Sequence, residues 1–164
     1  MTLKVHKDPP VMRPLVCCAG TFMNCWSKWL SEQFKKLLKY VPTRTTSTAA
    51  FLAAIQATPR LSARARIWTA NANKMYQNIL TPHAIQVLSS WIDELASRPD
   101  FPKDFHIEAV KTAMVIVMNN NYFEFGDVNL LQLIGTAMGT ALGPDWATTY
   151  FGVYECKTLL PRYK

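Results

Sequence analysis

Two glycines four residues apart, each followed by a threonine, stand in residues 135–144 (GTAMGTALGP). Glycine has no Cβ, so it adopts positive φ and lets a ligand come close to the main chain. A chain with this segment is therefore expected to contain a tight loop built for close backbone approach. An ordinary Gly/Thr/Ala-rich turn between a strand and a helix is the alternative interpretation.

The length and composition are those of one globular domain, or most of one. The 164 residues are 49% hydrophobic and include five tryptophans, which predicts a packed core. No run approaches the ~20 apolar residues of a membrane span, and the N-terminus lacks the apolar stretch of a signal peptide. The four cysteines form no C-x-x-C pair. We therefore expect buried free thiols and an intracellular location, nuclear or cytoplasmic.

The net charge of +7 is unevenly distributed. The first 80 residues hold 12 Lys and Arg against two acidic residues, whereas the rest hold six basic and nine acidic residues. No Asp or Glu lies between Glu32 and Asp93. A basic half of this kind favours a polyanionic partner, and a solvated basic surface without a partner is the alternative.

Five segments carry helix signals. Residues 21–41 place apolar side chains at helical intervals with lysines between them, a pattern that predicts an amphipathic helix and also suits a membrane surface. Helices are also expected over residues 47–57, 105–118 and 145–157. Thr81 is expected to be an N-cap with Pro82 at the first helical position. The apolar residues that this helix would bury are Ile85, Leu88, Trp91, Ile92 and Leu95.

Strands are expected over residues 15–18 and 66–70. A hairpin is expected from residues 122–125 and 130–133 around Gly126-Asp127. The order of the elements predicts an α+β fold in which helices cover one face of a small antiparallel sheet.

Five short motifs follow one another along the chain. They are KVHK at 4–7 with Arg13-Pro14, SKWL at 27–30 with VPT at 41–43, TANANKMYQNI at 69–79, NNNYFEF at 119–125 and GTAMGT at 135–140. In this order they resemble the reverse transcriptase domain of mobile elements, most closely the Penelope-like group. The segment at 69–79 is similar to polymerase motif A, and the Gly/Thr segment is similar to motif B.

The resemblance implies a right-hand polymerase fragment, with a fingers-like basic part over residues 1–60 and a partial palm over residues 61–164, in one continuous unit. It implies an RNA or DNA template–primer and a deoxynucleoside triphosphate as partners, and Mg²⁺ or Mn²⁺ as cofactor. The family's motif C hairpin, with two further aspartates, has no counterpart up to Lys164. The strand at 66–70 would then have an unpaired edge, which predicts marginal stability.

The resemblance also assigns roles to single residues. The metal-binding aspartate of motif A corresponds to Asn71, whose amide carries no charge. Two divalent ions need anionic oxygen ligands, so we predict that the chain does not catalyse nucleotidyl transfer unaided. Lys4 and Arg13 would hold the triphosphate, and Ala72 and Tyr76 would contact the nucleotide. The loop residues facing the template–primer would be Gly135, Thr136, Ala137, Met138, Gly139 and Thr140.

Other interpretations stay open. Tyr76 also suits a protein core, and Lys4 and Arg13 also suit a solvated surface. For the whole chain, the alternatives are a non-catalytic nucleic-acid-binding module that keeps the basic face, and a helical interaction protein in which the Gly/Thr loop is incidental.

Overall fold

The computed structural model describes residues 2–4, 9, 11–13, 20–60, 63–66, 69–125 and 127–162. The helices in these ranges are α1 (Phe22–Leu37), α2 (Thr48–Ala57), α3 (Met75–Asn78), α4 (Thr81–Ala96), α5 (Ile107–Asn119) and α6 (Gly143–Tyr154). The strands are β1 (Thr2–Lys4), β2 (Val11–Arg13), β3 (Tyr122–Phe125) and β4 (Val128–Leu131). Short 3-10 turns cover Leu38–Tyr40 and Leu160–Arg162, and a π-helical turn, Glu155–Leu159, continues α6.

Four helices build the hydrophobic core. Helix α1 packs on α5 and α6, and α4 packs on the same two helices. Trp146 of α6 is fully buried, and its ring centroid lies 6.1 Å from that of Phe34 in α1. The other large side chains with no exposed surface include Leu30, Leu37, Leu88, Ile92, Val110 and Met114. The predicted packed core is therefore confirmed, and it is a helical one.

Helix α1 confirms the predicted amphipathic pattern. Leu30 and Phe34 are fully buried, whereas Lys28 and Lys35 are exposed. The helical spacing of residues 21–41 also places Phe22 on the apolar face, but Phe22 is the first residue of the helix and is 74% exposed. Among the described aromatic side chains its ring contacts Trp26. Cys25 was expected to be buried and is exposed, since it shares the solvent face of α1 with Lys28.

Helix α2 begins where the sequence predicts it. The Ser47 hydroxyl accepts a hydrogen bond from the Ala50 N–H at 3.1 Å, which caps the first turn. All ten residues of α2 are nevertheless exposed, including Phe51, Leu52 and Ile55. Its apolar composition therefore does not place it in the core.

Helix α4 differs from the prediction at its first turn. Thr81 is not the N-cap but the first helical residue, and Leu80 precedes the helix without a side-chain cap. The Thr81 hydroxyl is directed instead towards the carbonyl of Gly135, at 3.5 Å. The predicted core positions Leu88, Trp91, Ile92 and Leu95 are buried, and Ile85 is half-buried.

The strands form two separate two-stranded antiparallel sheets, β1 with β2 and β3 with β4. The second is the predicted Gly126-Asp127 hairpin, with β4 starting two residues earlier than expected. All four residues of β4 are exposed, so the prediction that helices cover the small sheet is wrong for this hairpin.

The prediction of a strand over residues 66–70 is wrong where the structure describes that segment. Arg66, Thr69 and Ala70 lie in irregular, exposed backbone, and residues 67–68 lie outside the described residues. β-propensity depends on packing against a neighbouring strand, and the described part of the chain offers none here. The strand expected at residues 15–18 also lies outside the described residues.

Candidate functional site

The Gly/Thr loop lies directly on the α3 turn. Gly135 has φ +88°, and a Cβ at this position would lie 2.8 Å from the Tyr76 carbonyl oxygen and 3.0 Å from the Gln77 Cα. The next residue, Thr136, donates its N–H to that same Tyr76 carbonyl at 2.6 Å. The tight loop expected from the sequence is confirmed, and the group that approaches Gly135 is the chain's own backbone.

The Thr140 hydroxyl closes the loop through two hydrogen bonds. Thr140 Oγ1 donates to the Ala137 carbonyl and accepts from the Gly143 N–H, both at 3.2 Å. Gly143 sits close to these groups, and a Cβ there would lie 3.1 Å from the Ala137 oxygen and 3.7 Å from the Tyr76 ring. Tyr76 is thus held between the two ends of the loop.

The six loop residues predicted to face a template–primer divide into two groups. Gly135, Thr136, Ala137 and Thr140 are buried. Met138 is half-buried, and Gly139 is exposed with φ +103°. The surface of the loop that a partner can reach is therefore centred on Gly139.

Two serines of α1 anchor the loop and the start of α6. The Leu142 N–H donates to Ser27 Oγ at 3.0 Å, and Ser31 Oγ donates to the Asp145 carboxylate at 2.6 Å. Ser27 belongs to the SKWL motif, where its hydroxyl was given no role, and Ser31 belongs to none of the motifs. The sequence does contain a signal for them: the two serines lie four residues apart among the apolar positions of α1, so both hydroxyls are on the buried face of the helix.

Tyr76 lies half-buried in the short helix α3. Burial, and then the negative charge of Asp145, raise the pKa of Tyr76 above its ordinary value of about 10. The phenol is therefore neutral at physiological pH. Lys74, which precedes the helix, has φ 50°, a left-handed conformation that turns the backbone into α3.

Asn71 and Ala72 lie just before this turn, exposed and in irregular backbone. Among the described residues, no group of three or more His, Cys, Asp or Glu side chains is placed to hold a metal ion. Asn71 offers only a neutral amide oxygen, whereas Mg²⁺ in proteins is usually bound through one or two carboxylates together with substrate phosphates. The described residues around Asn71 therefore do not fit a two-metal site.

A series of exposed basic residues lies in the chain before helix α3. Five successive basic residues are exposed, and none of them forms a salt bridge with a described acidic residue; they are Arg44, Arg60, Arg64, Arg66 and Lys74. Arg44 and Met75 line the same cavity of about 170 Å³, which also includes Glu155. Arg44 therefore lies near the α3 turn that holds Lys74.

Lys4 and Arg13, the predicted triphosphate ligands, lie in the first hairpin. In its register Lys4 pairs with Val11, and Arg13 pairs with Thr2. Their predicted contact with a nucleotide stays a prediction.

No helix in the described ranges is long and apolar enough to cross a bilayer. Comparison with known proteins identifies no relative, since no protein-family model, curated protein or solved structure matches the chain.

Proposed function

We propose that this chain binds nucleic acid through its basic segment and the adjoining Gly/Thr loop, as a module resembling the fingers and palm of a reverse transcriptase. We further propose that it does not catalyse nucleotidyl transfer unaided. The observation that carries the proposal is the run of five exposed cations from Arg44 to Lys74, none of which is paired with a described acidic residue.

Several cations elsewhere in the described chain are paired with carboxylates. Lys35, Lys111 and Lys157 each contact a carboxylate of this chain, at 2.6, 2.6 and 2.5 Å. The segment from Arg44 to Lys74 has no acidic residue in its own sequence to neutralise it. Unpaired guanidinium groups bind phosphate oxygens through two parallel hydrogen bonds, and each phosphate contact releases a counterion from the nucleic acid.

The contact between the α3 turn and the Gly/Thr loop supports the polymerase-like part of the proposal. The resemblance assigns Tyr76 to the nucleotide and residues 135–140 to the template–primer. For both roles to hold, the two segments must be neighbours. Thr136 donates to the Tyr76 carbonyl, so they are in direct contact.

The chemistry of the Asn71 side chain supports the proposal that the chain does not catalyse nucleotidyl transfer unaided. In-line phosphoryl transfer between nucleotides depends on two divalent ions held by carboxylates. By the resemblance, the neutral amide of Asn71 stands at the first ligand position, and no group of three or more metal-ligating side chains is found among the described residues.

Fluorescence anisotropy with a labelled RNA–DNA primer–template, titrated from about 50 to about 200 mM salt, tests the binding proposal. Unmodified protein should bind, with an affinity that falls steeply as salt rises. The triple variant Arg60→Gln, Arg64→Gln, Arg66→Gln should make the slope of log affinity against log salt shallower by about 2–3, because each phosphate that is no longer neutralised contributes roughly 0.7–0.9 to that slope.

The matched control is the triple variant Lys35→Gln, Lys111→Gln, Lys157→Gln, which removes the same charge from residues that are already paired. It should leave the slope nearly unchanged. Absence of binding at about 50 mM salt, or an equal change of slope in both triple variants, would refute the proposal.

Primer extension with Mg²⁺ or Mn²⁺ tests the statement about catalysis. The unmodified chain should incorporate no nucleotide while still binding the primer–template. Incorporation by the unmodified chain would show that Asn71 does not block metal-dependent transfer, and the variant Asn71→Asp shows whether one carboxylate restores any activity.

A further inference from the structure

The outer edge of β4 is an unpaired strand edge with no protective charge. The Gln132 N–H donates to the Asn121 carbonyl at 3.0 Å, and the ladder continues with Leu130 opposite Phe123 and Val128 opposite Phe125. Antiparallel pairing alternates, so the backbone groups of Asn129 and Leu131 point away from β3. In the described part of the chain no backbone partner for these outward groups is found.

Five of the seven side chains of residues 128–134 are apolar, and those five are exposed. Val128 is 56% exposed, Leu133 78% and Ile134 62%, and Leu130 and Leu131 are exposed as well. Residues 128–134 (VNLLQLI) contain no charge, proline or glycine. Natural proteins normally protect a strand edge with lysine, proline or a bulge, and this edge has no lysine or proline in its sequence.

We propose that β4 pairs with β4 of a second copy of this chain, so that the two hairpins form one four-stranded antiparallel sheet across a two-fold axis. A two-stranded hairpin by itself is marginally stable in water, and further strands stabilise it. The second copy is the occupant because an antiparallel edge is self-complementary under two-fold symmetry, with the same patch on both sides.

The outward backbone groups allow more than one register, and we take the one that pairs the two outward residues of β4 with each other. Asn129 of one copy pairs with Leu131 of the other, and the reverse pair follows from symmetry. Leu130 then faces its own copy at the two-fold axis as a non-hydrogen-bonded pair, the type with the closest side chains. Asp127 lies opposite Leu133, so no two like charges are opposed in the pairing. This inference does not depend on nucleic-acid binding.

Sedimentation over a range of protein concentrations tests the pairing. The mass should rise with concentration from 18.6 kDa towards twice that value. Asn129→Pro should weaken the association about tenfold or more, because it removes an outward N–H from each copy. It should keep the intrachain hairpin, since proline is tolerated where the N–H faces away from the sheet.

Leu131→Lys is a second, independent variant, which leaves the backbone donors in place and adds a charge to each side of the pairing. It should weaken the association about as much as Asn129→Pro. Circular dichroism checks that each variant is folded. A mass of 18.6 kDa at all concentrations, or an association that both folded variants leave unchanged, overturns the proposal.

Disulfide trapping tests the register. Leu130→Cys should form a covalent dimer under mild oxidation, because the two side chains meet at the two-fold axis. The control is Leu160→Cys, whose position is similarly exposed, at 45% against 40% for Leu130. The unmodified chain, with its exposed Cys25, gives the background. Trapping of Leu130→Cys no faster than that of Leu160→Cys contradicts the register.

Discussion

Gly135 lies where a side chain has neither an allowed backbone conformation nor space. Its φ of +88° costs an L-amino acid about 1–2 kcal/mol. A Cβ would also lie 2.8 Å from the Tyr76 carbonyl oxygen, a backbone atom that cannot rotate away. Overpacking of this kind typically lowers the free energy of unfolding by roughly a further 1–3 kcal/mol. We expect Gly135→Ala to lower the free energy of unfolding by about 2–5 kcal/mol, the sum of the two.

Gly20→Ala is the matched control for this substitution. Gly20 also has positive φ, +77°, but no described atom lies within 4 Å of a Cβ placed there. Gly20→Ala should therefore lower the free energy of unfolding only by the cost of positive φ, about 1–2 kcal/mol. The difference between the two variants isolates the contact between the loop and the α3 turn.

Urea unfolding followed by tryptophan fluorescence measures both variants, because Trp146 is fully buried and reports on the core. Gly135→Ala should also lower Tm by roughly 4–20 °C, at about 2–4 °C for each kcal/mol in a chain of this size. If the two alanine variants unfold at the same urea midpoint, the Tyr76 carbonyl leaves room for a side chain at position 135, and the predicted steric cost is refuted.

Three further substitutions test other parts of the site and core. Thr136→Val should leave the free energy of unfolding unchanged or raise it by about 1 kcal/mol, because the Thr136 hydroxyl is buried without a described hydrogen-bond partner; a clear drop in stability on chemical denaturation would contradict this. Tyr76→Phe should remove a late phenolate step from an alkaline absorbance titration. Because the pKa of Tyr76 is raised in the folded state, its contribution to stability is complete below pH of about 10 and is lost as the pH rises through the folded-state pKa. Tyr76→Phe should therefore lose less stability than the unmodified chain as the pH rises above about 10. Equal losses in the two proteins would contradict the raised pKa. Gly152→Ala should destabilise the chain because its Cβ would overlap Val41 Cγ1; the double variant with Val41→Ala should be less destabilised than the sum of the single variants, and simple additivity would refute the overlap.

Much of the secondary structure could be predicted from local patterns. The apolar spacing of residues 21–41, the helix signals of residues 47–57 and the Gly126-Asp127 turn each predicted an element that the structure confirms. These signals are local, because a helix face or a two-residue turn is defined within a few positions of the chain. The strand predicted at 66–70 failed where it is described because strand formation depends on a neighbouring strand.

The candidate site was predictable only in part. Gly135 and Tyr76 were both singled out from the sequence, but the buried hydroxyls of Ser27 and Ser31, which hold the loop and the start of α6, were not. A serine within an apolar stripe has the same local pattern whether it is exposed or bonded to a distant backbone group. Its partner depends on how α6 packs against α1.

The sequence by itself determined where the five longer helices form, where the β3–β4 hairpin turns, and that the first half is basic with no acidic residue between Glu32 and Asp93, but it did not predict the short helix α3. Tertiary structure alone decided that the Tyr76 carbonyl fills the space beside Gly135, and that α2 and β4 are exposed although both are apolar. The physical reason is that helix and turn preferences act over neighbouring residues, whereas burial depends on which surfaces the other elements cover.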